Sequence, residues 1–392
     1  LDLSFTKDQM EWRDEVRDFL DEELPEKWQR STEYCEDEDF WDFALAFTRK
    51  VSAKGWIGLT WPEEYGGLAR PIVDKLIMAE EFTYRGAPLV NTIGYNLAAG
   101  ALLSGGTDAQ KAKFLPPIAR TECIWAEGYS EPDAGSDLAS MSTTAVRDGD
   151  HWLVNGQKTY TTWGSHADVL YLAARTDPAG SRHRGITIFC LDLDQPGVSF
   201  GPQYNIGGGR QNHTFLDDVR VADDMMIGHE GRAWDLIMGG FYGGNIGATF
   251  MTAQRRLDKL VEYCKTARRG GKLMIDDPLV RDDLVEINLA IQSERLLTYE
   301  SLSNTQAKRP PVFAGATSQV VLKEAMPRVA ELINRICGPR GQLAADSGWA
   351  PLPDDPSGGP EAWFRQSFGN HGNGTSQVKR MVLATRGLGL PR

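Results

Sequence analysis

At 392 residues the chain is about two to three times the usual domain length, so two or three domains and a large buried core are expected. Apolar residues at 41% and charged residues at 24% are ordinary for a folded globular protein, and no stretch approaches the roughly 20 apolar residues of a membrane span. A net charge of −12 disfavours binding to nucleic acid or to an anionic membrane, although a local basic pocket could still hold a phosphorylated ligand. Cys35, Cys123, Cys190, Cys264 and Cys337 are odd in number and widely spaced, which reads as reduced thiols rather than a disulfide frame or zinc site. The six histidines show no helical zinc spacing, so no metal site is expected. The opening Leu1-Asp2-Leu3-Ser4-Phe5 lacks a basic start and an apolar core, which points to the cytoplasm. The missing initiator Met leaves an N-terminal trim open.

The first third reads as helices. Thr6 and Gln9 form a capping-box pattern, with Phe5 and Met10 placed as a hydrophobic staple and Val16, Phe19 and Leu20 continuing an apolar face. The Gly- and Pro-rich stretch 55–62 interrupts, and helical composition returns at 72–84 and 94–104. From 122 to 228 the period changes to that of strands. Trp152-Leu153-Val154, Asn155-Gly156 and Gln157 to Trp163 predict a hairpin turning at Asn-Gly, and further runs at 168–174, 185–192 and 213–221 complete a small β-barrel or sandwich. Beyond Gly228, Leu257, Leu260, Val261 and Cys264, then Val329, Leu332, Ile333 and Ile336, repeat at i, i+3, i+4, i+7. Helices at 231–268, 278–306, 315–337 and from 375 suggest a four-helix bundle, with a loop at 339–360. The expected fold is therefore α+β and multidomain: 1–121 helical, 122–228 β, 229–392 helical bundle.

The most informative stretch is Trp125 to Ser140, where Ser130-Glu131-Pro132-Asp133-Ala134-Gly135-Ser136-Asp137 follows a short apolar strand. Gly135 permits an unusual backbone, and Ser130 and Ser136 place hydroxyls beside exposed N–H groups, so the loop could hold a phosphate or a flavin edge. Residues of this kind also make ordinary polar turns, which is the commoner outcome for a short motif. Together with Asn155-Gly156-Gln157-Lys158, Ala167-Asp168, Phe215 to Val221, Gly374-Thr375-Ser376-Gln377 and Leu388 to Arg392, the stretch resembles the signature of the acyl-CoA dehydrogenase family. These motifs occur in order over nearly the whole chain, and the family's architecture is the helical, β, helical-bundle order read above.

The resemblance implies an FAD-dependent oxidoreductase that forms a 2,3-enoyl-CoA from an acyl-CoA, in fatty acid or steroid side-chain catabolism, with electron-transferring flavoprotein as acceptor. It implies a homo- or hetero-oligomer, dimeric or tetrameric. By the same resemblance, Ser130, Gly135, Ser136 and Thr375 contact the cofactor, and Thr162 lies near flavin N5 with Tyr160 where the family more often has Trp. Arg268 or Arg269 would face the cofactor phosphates of a neighbouring subunit.

One requirement of the chemistry is not met at the usual places. Removing the α proton needs a positioned carboxylate. The family places it before the C-terminal Gly-Thr, here Asn373, or early in the first bundle helix, here Phe241 with Tyr242 next to it. An amide has no useful basicity, and a phenol would need heavy tuning from about 10. Glu127, which begins the flavin-facing strand, and His371 are the substitutes within the motif regions. Gly239-Gly240-Phe241-Tyr242-Gly243-Gly244 reads either as a pocket widened for a bulky, ring-containing acyl group or as a plain loop before the helix. The missing base leaves two alternatives: a non-catalytic subunit paired with a base-bearing sister chain, or a lyase or hydratase on the same scaffold. The triple glycine 207–209 has no reading from sequence.

Overall fold

Thr6 opens the first helix as its sequence requires. In the computed structural model, which describes residues 4–29, 38–180, 182–239, 247–307, 314–368, 372 and 374–391, the Thr6 hydroxyl accepts from Gln9 N at 3.3 Å and Gln9 Oε1 accepts from Thr6 N at 2.9 Å. The helix α1 (Lys7–Glu23) buries Trp12, Val16, Phe19 and Leu20. The expected staple does not close. Met10 is 40% exposed, and Phe5 instead packs edge-on to Tyr299, centroids 6.1 Å apart, beneath the Arg13 guanidinium. A large aromatic from the bundle outcompetes one flexible methionine for the same ring.

Four more helices complete this region: α2 (Glu38–Ala53), α3 (Ile72–Arg85), α4 (Ala99–Gly105) and α5 (Asp108–Ala119). The sequence reading passed over α2 and also α5, although Thr107 and Gln110 repeat the capping box of α1. The chain enters α4 through a π-helical turn, Ile93–Ala98, which follows Asn91 in the left-handed region at φ +64°. Asn91 is 1% exposed. Its Oδ1 accepts from Trp125 N at 2.8 Å and its Nδ2 donates to Cys123 O at 2.9 Å, so one amide clamps the π-turn to the strand that follows. Gly94 is required here, because a Cβ would lie 2.4 Å from Asn91 Oδ1.

The middle region is one mixed eight-stranded sheet in the order β6-β7-β3-β2-β4-β5-β8, with β1 paired parallel to β4. Its strands are β1 (Trp125–Gly128), β2 (Thr144–Asp148), β3 (His151–Thr161), β4 (Val169–Arg175), β5 (Ile186–Asp192), β6 (Val198–Tyr204), β7 (Arg210–Ala222) and β8 (Met226–Ile227). Trp152, Val154, Leu170, Leu172, Phe189, Leu191, Val219 and Val221 share one buried core, so the β3–β7 and β4–β5 halves close on each other. The Asn155-Gly156 turn is a correction. β3 runs through it unbroken, and the hairpin turns instead at Gly149-Asp150, Gly149 at φ +67°. Asn155 faces a bulge in β7 at Asp217-Asp218 and exchanges two 2.9 Å hydrogen bonds with Asp218, and a Cβ on Gly156 would press on Thr143.

The last region is helical: α6 (Trp234–Gly239), α7 (Phe250–Thr266), a small ribbon β9 (Arg268–Arg269) and β10 (Lys272–Leu273), α8 (Pro278–Gln306), α9 (Ala314–Cys337), α10 (Gly359–Ser367) and α11 (Ser376–Val382). Leu257, Leu260, Cys264, Val329, Leu332, Ile333 and Ile336 are all buried in its core, as their spacing predicts. The segment read as one helix at 231–268 holds two, α6 and α7, and α10 follows the irregular stretch unannounced. No helix of the described residues is long and apolar enough to cross a membrane.

A buried ion pair fixes the loop between β1 and β2. Lys158 on β3 is fully buried and donates to Glu131 Oε1 at 2.8 Å and to Tyr129 O at 3.1 Å. Glu131, 5% exposed, also accepts from Ser142 N and its hydroxyl and from Thr143 N, at 2.6–2.9 Å. Burial works against its charge, but the Lys158 ammonium and these donors outweigh it and hold the carboxyl down at about 2. A carboxyl depressed in the fold contributes stability above its ordinary range and loses it only as pH falls towards that value. Lys158→Met should strand the Glu131 charge and lower stability at pH 7 by about 3–5 kcal/mol. The deficit should narrow near pH 4.5, where the unpaired Glu131 takes up a proton. Thermal melts at both pH values test this, and an equal deficit at the two would show that the pair is not its source.

Candidate functional site

Three stretches of the β region converge on one cavity of about 2100 Å³. Its wall includes Glu127 on β1, Ser130, Gly135 and Ser136 in the pinned loop, and Tyr160, Thr162 and Trp163 at the end of β3; Thr375, the N-cap of α11, closes it from the bundle. The end of β3 is strained: Tyr160 at φ +59° and Trp163 at φ +57° both adopt the left-handed region. For residues with bulky side chains this costs on the order of 1–3 kcal/mol each and needs support from the surroundings. Two glutamines give it. Gln203 on β6 accepts from Tyr160 N at 2.9 Å, while Gln211 on β7 donates to Tyr160 O at 3.2 Å and to Thr162 Oγ1 at 2.8 Å. Because Thr162 accepts there, its own hydroxyl proton is left to donate elsewhere. Trp163 is flanked by Trp41, which stacks on His166 with centroids 4.1 Å apart.

Glu127 and Asp137 are the carboxylates among the described residues on this wall. Asp137 is half exposed and ion-paired with Arg182. Glu127 is enclosed by protein except where it meets the cavity, and burial pushes its carboxyl up to about 7. Tyr129, two residues along, is buried and its phenol is driven well above the ordinary value. The 207–209 glycines also acquire a place. They form the β6–β7 turn, closed by Asn205 N to Gly209 O at 2.9 Å with Gly208 at φ +92°, and Arg365 of α10 donates to Ile206 O at 3.3 Å across the cavity mouth.

The residues predicted from sequence thus divide. Glu127, Ser130, Gly135, Ser136, Tyr160, Thr162 and Thr375 line the same cavity. Arg268 and Arg269 do not join them: they form the exposed ribbon β9, where Arg268 donates to Gly271 O at 2.8 Å and Arg269 to Ile336 O. Phe241, Tyr242, His371 and Asn373 lie outside the described residues. Sequence reasoning missed the roles of Glu131 and Lys158, although both stand inside quoted motifs. It missed Gln203, Gln211 and Lys75 altogether, for which no local pattern exists.

The donor set fits a flavin dinucleotide. Trp163 lines the cavity, and its buried indole N–H has no acceptor among the described residues. A Cβ on Gly135 would meet no atom within 4 Å, so the loop backbone borders open space. The volume is about twice the upper end for a single small ligand, roughly 1,000 Å³, which leaves room for a cofactor and a substrate together.

Family profiles cover the chain in three pieces: acyl-CoA dehydrogenase N-terminal domain over residues 6–122, middle domain over 126–219 and C-terminal domain over 231–388. The chain is 30% identical to acyl-CoA dehydrogenase FadE26 of Mycobacterium tuberculosis, over 100% of this chain and 99% of that protein. Its fold matches the ChsE4-ChsE5 complex from Mycobacterium tuberculosis with a TM-score of 0.90 at 30% identity, each chain covered 100%. It matches the Tcur3481-Tcur3483 steroid ACAD with a TM-score of 0.89 at 29% identity, again over 100% of each chain. A helical region, a β-sheet region and a second helical region, each matched by its own profile around one shared cavity, make this chain a member of the acyl-CoA dehydrogenase family.

Proposed function

We propose that the protein is an FAD-dependent dehydrogenase that converts a bulky acyl-CoA thioester to its 2,3-enoyl form. The observation that carries this reading is the single cavity that Ser130, Gly135, Ser136, Tyr160, Thr162 and the buried carboxyl of Glu127 all line. The pinned loop and Thr375 would hold the cofactor, with Tyr160 and Thr162 at its ring. Bound there, FAD supplies the acceptor for the hydride that leaves the β carbon. Glu127 takes the α proton. A base with a pKa near 7 is ionised in a useful fraction at neutral pH and is still basic enough to accept. A bulky acyl group is supported by the cavity's volume of about 2100 Å³ and by the steroid ACAD among the structural relatives. Electron-transferring flavoprotein is the proposed acceptor. The unpaired cysteines Cys123, Cys190, Cys264 and Cys337 suit a reducing, cytoplasmic setting.

A second reading rests on one observation, that neither Asn373 nor Phe241 is a carboxylate. If Glu127 is not the base, this chain is the incomplete member of a heteromer, an arrangement consistent with the two-component complex it resembles. Anaerobic flavin bleaching with a panel of acyl-CoAs separates the two. On the first reading the FAD-loaded protein bleaches alone, its rate rises with pH through about 7, and Glu127→Gln slows it about 10²–10⁴-fold. On the second reading the protein alone is silent, and either Asn373→Glu or a co-expressed homologous chain restores bleaching.

Glu127 also has a signature that needs no turnover. Its carboxyl is raised in the fold, so the proton-bound form is favoured there, and stability present below the ordinary glutamate range is lost as pH rises towards 7. Glu127→Gln should therefore raise the melting temperature more at pH 8 than at pH 5. A gain of equal size at both would remove the case for a buried, titrating carboxyl.

We further propose that the protein works as an oligomer, homomeric or paired with a sister chain. Leu279, Val285, Leu289 and Leu296 on α8 are 52–76% exposed, an apolar stripe of the kind a partner helix covers. Exposed Arg268 and Arg269 would then serve the partner's cofactor site. A Leu289→Lys/Leu296→Lys double variant should sediment as a smaller species than the parent at micromolar concentration. Unchanged sedimentation would move the interface elsewhere.

A further inference from the structure

The cavity face of α3 carries Lys75, Met78, Ala79 and Phe82 at i, i+3, i+4, i+7, so a single cation interrupts an apolar stripe. Its ammonium meets Asn96 Oδ1 at 3.1 Å, an amide presented by the π-turn Ile93–Ala98 that lines the same cavity. No ion pair joins Lys75 to a carboxylate among the described residues. Burial pushes its amine down to about 8. Asn96 uses one of three donors and leaves the others to the cavity.

Nothing among the described residues calls for this lysine. Its one partner lies in the same helical region, so the bond does not clamp that region to the bundle; the Tyr84 hydroxyl does so, donating to Asp258 at 2.9 Å. A leucine or methionine would complete the stripe without the cost of desolvating an ammonium. The proton transfer proposed above does not use it either. A CoA phosphate is poorly matched to one lysine among Met78, Ala79 and Phe82, whereas Arg256, Arg365 and Lys379 offer several cations from the bundle side. What suits Lys75 is an oxygen atom carried by an otherwise hydrocarbon group.

We propose that Lys75, oriented by Asn96, binds an oxygen acceptor on the acyl group, a carboxylate or a carbonyl remote from the thioester, and so selects oxygenated acyl-CoAs over plain hydrocarbon ones. This rests on the acyl-CoA reading above and names the substrate class within it. Lys75 is a specificity residue in this account, remote from the bonds that change.

Calorimetric binding to the FAD-loaded protein tests it without requiring turnover. The probes are matched sets: hexanoyl-, 5-oxohexanoyl- and adipyl-CoA, then decanoyl-, 9-oxodecanoyl- and sebacyl-CoA. An oxygenated member should bind about tenfold or more tighter than its hydrocarbon counterpart, the range of a charge-assisted hydrogen bond. Whether the oxo or the dicarboxylyl ester shows the gain tells carbonyl from carboxylate. Lys75→Met should lose the preference and Lys75→Arg should keep part of it. Hydrocarbon esters binding as tightly as both oxygenated partners at both lengths would overturn the proposal. So would a Lys75→Met protein that binds every ester more weakly by one common factor, the mark of a phosphate anchor. If Lys75→Met does not fold, the parent's ratios still decide, with Asn96→Leu as the second variant. Failure of every CoA ester to bind would instead bring down the acyl-CoA reading, and this inference with it.

Discussion

The Glu131–Lys158 pair is the constraint on which the site depends. A buried charge pair is a poor source of net stability, because desolvating two ions offsets most of their attraction. What it provides is position. Lys158 reaches from β3 to Glu131 and to the carbonyl of Tyr129, and Glu131 in turn holds two successive backbone amides at the start of β2. A loop with both ends tied in this way cannot slide along β3, so Gly135 and Ser136 keep their place relative to Tyr160 and Thr162. An apolar pair of equal volume would fill the space without specifying the register.

Asn91 does the same for the strand before the loop. Its amide spans Cys123 O and Trp125 N on the approach to β1, and its left-handed backbone sets the direction in which the π-turn leaves. The strand that carries Glu127 is therefore clamped by a side chain on one side and by the parallel pairing with β4 on the other. Of the non-glycine residues with left-handed backbone, Tyr160 and Trp163 line the cavity and Asn91 is bonded to the strand of Glu127, while Ala69, Thr121, Asp218 and Leu352 lie elsewhere. At Tyr160 the strain is held by side-chain hydrogen bonds from Gln203 and Gln211, the kind of support a preorganised site requires.

How much of this could be read from the sequence follows from the range of each interaction. Local devices were legible: the capping box at Thr6, the helical spacing from Leu257 to Cys264 and from Val329 to Ile336, and the change of period across the β region. Features decided by distant partners were not. Asn155-Gly156 carries the composition of a hairpin turn, yet it runs on within β3, where Asn155 is held by Asp218, 63 residues away, in a bulge of β7. Phe5 and Met10 have staple spacing, yet Tyr299 takes the ring. The site shows the same division. Its motif residues were visible because they cluster in sequence, whereas Gln203, Gln211, Asn91 and Lys75 act through long-range bonds that leave no pattern around them.

The electrostatics of the chain and of its cavity point in opposite directions. The protein carries a net charge of −12, yet Lys75, Arg255, Arg256, Arg365, Lys379 and Arg386 line the cavity against two carboxylates, Glu127 and Asp137; Asp137 is paired with Arg182 and Arg365 with Glu361. An acidic exterior repels polyanions at long range, and that repulsion is screened within about 8 Å at physiological ionic strength. A cation-lined cavity acts at contact, where screening is weak. Such a charge distribution suits a compact phosphorylated ligand better than a nucleic acid, whose charge is spread over a surface. It also sets the electrostatic setting of Glu127. Its carboxyl is raised by burial alone, with none of these cations close enough to hold it ionised, so a basic cavity can retain one carboxyl that takes and gives a proton near neutral pH.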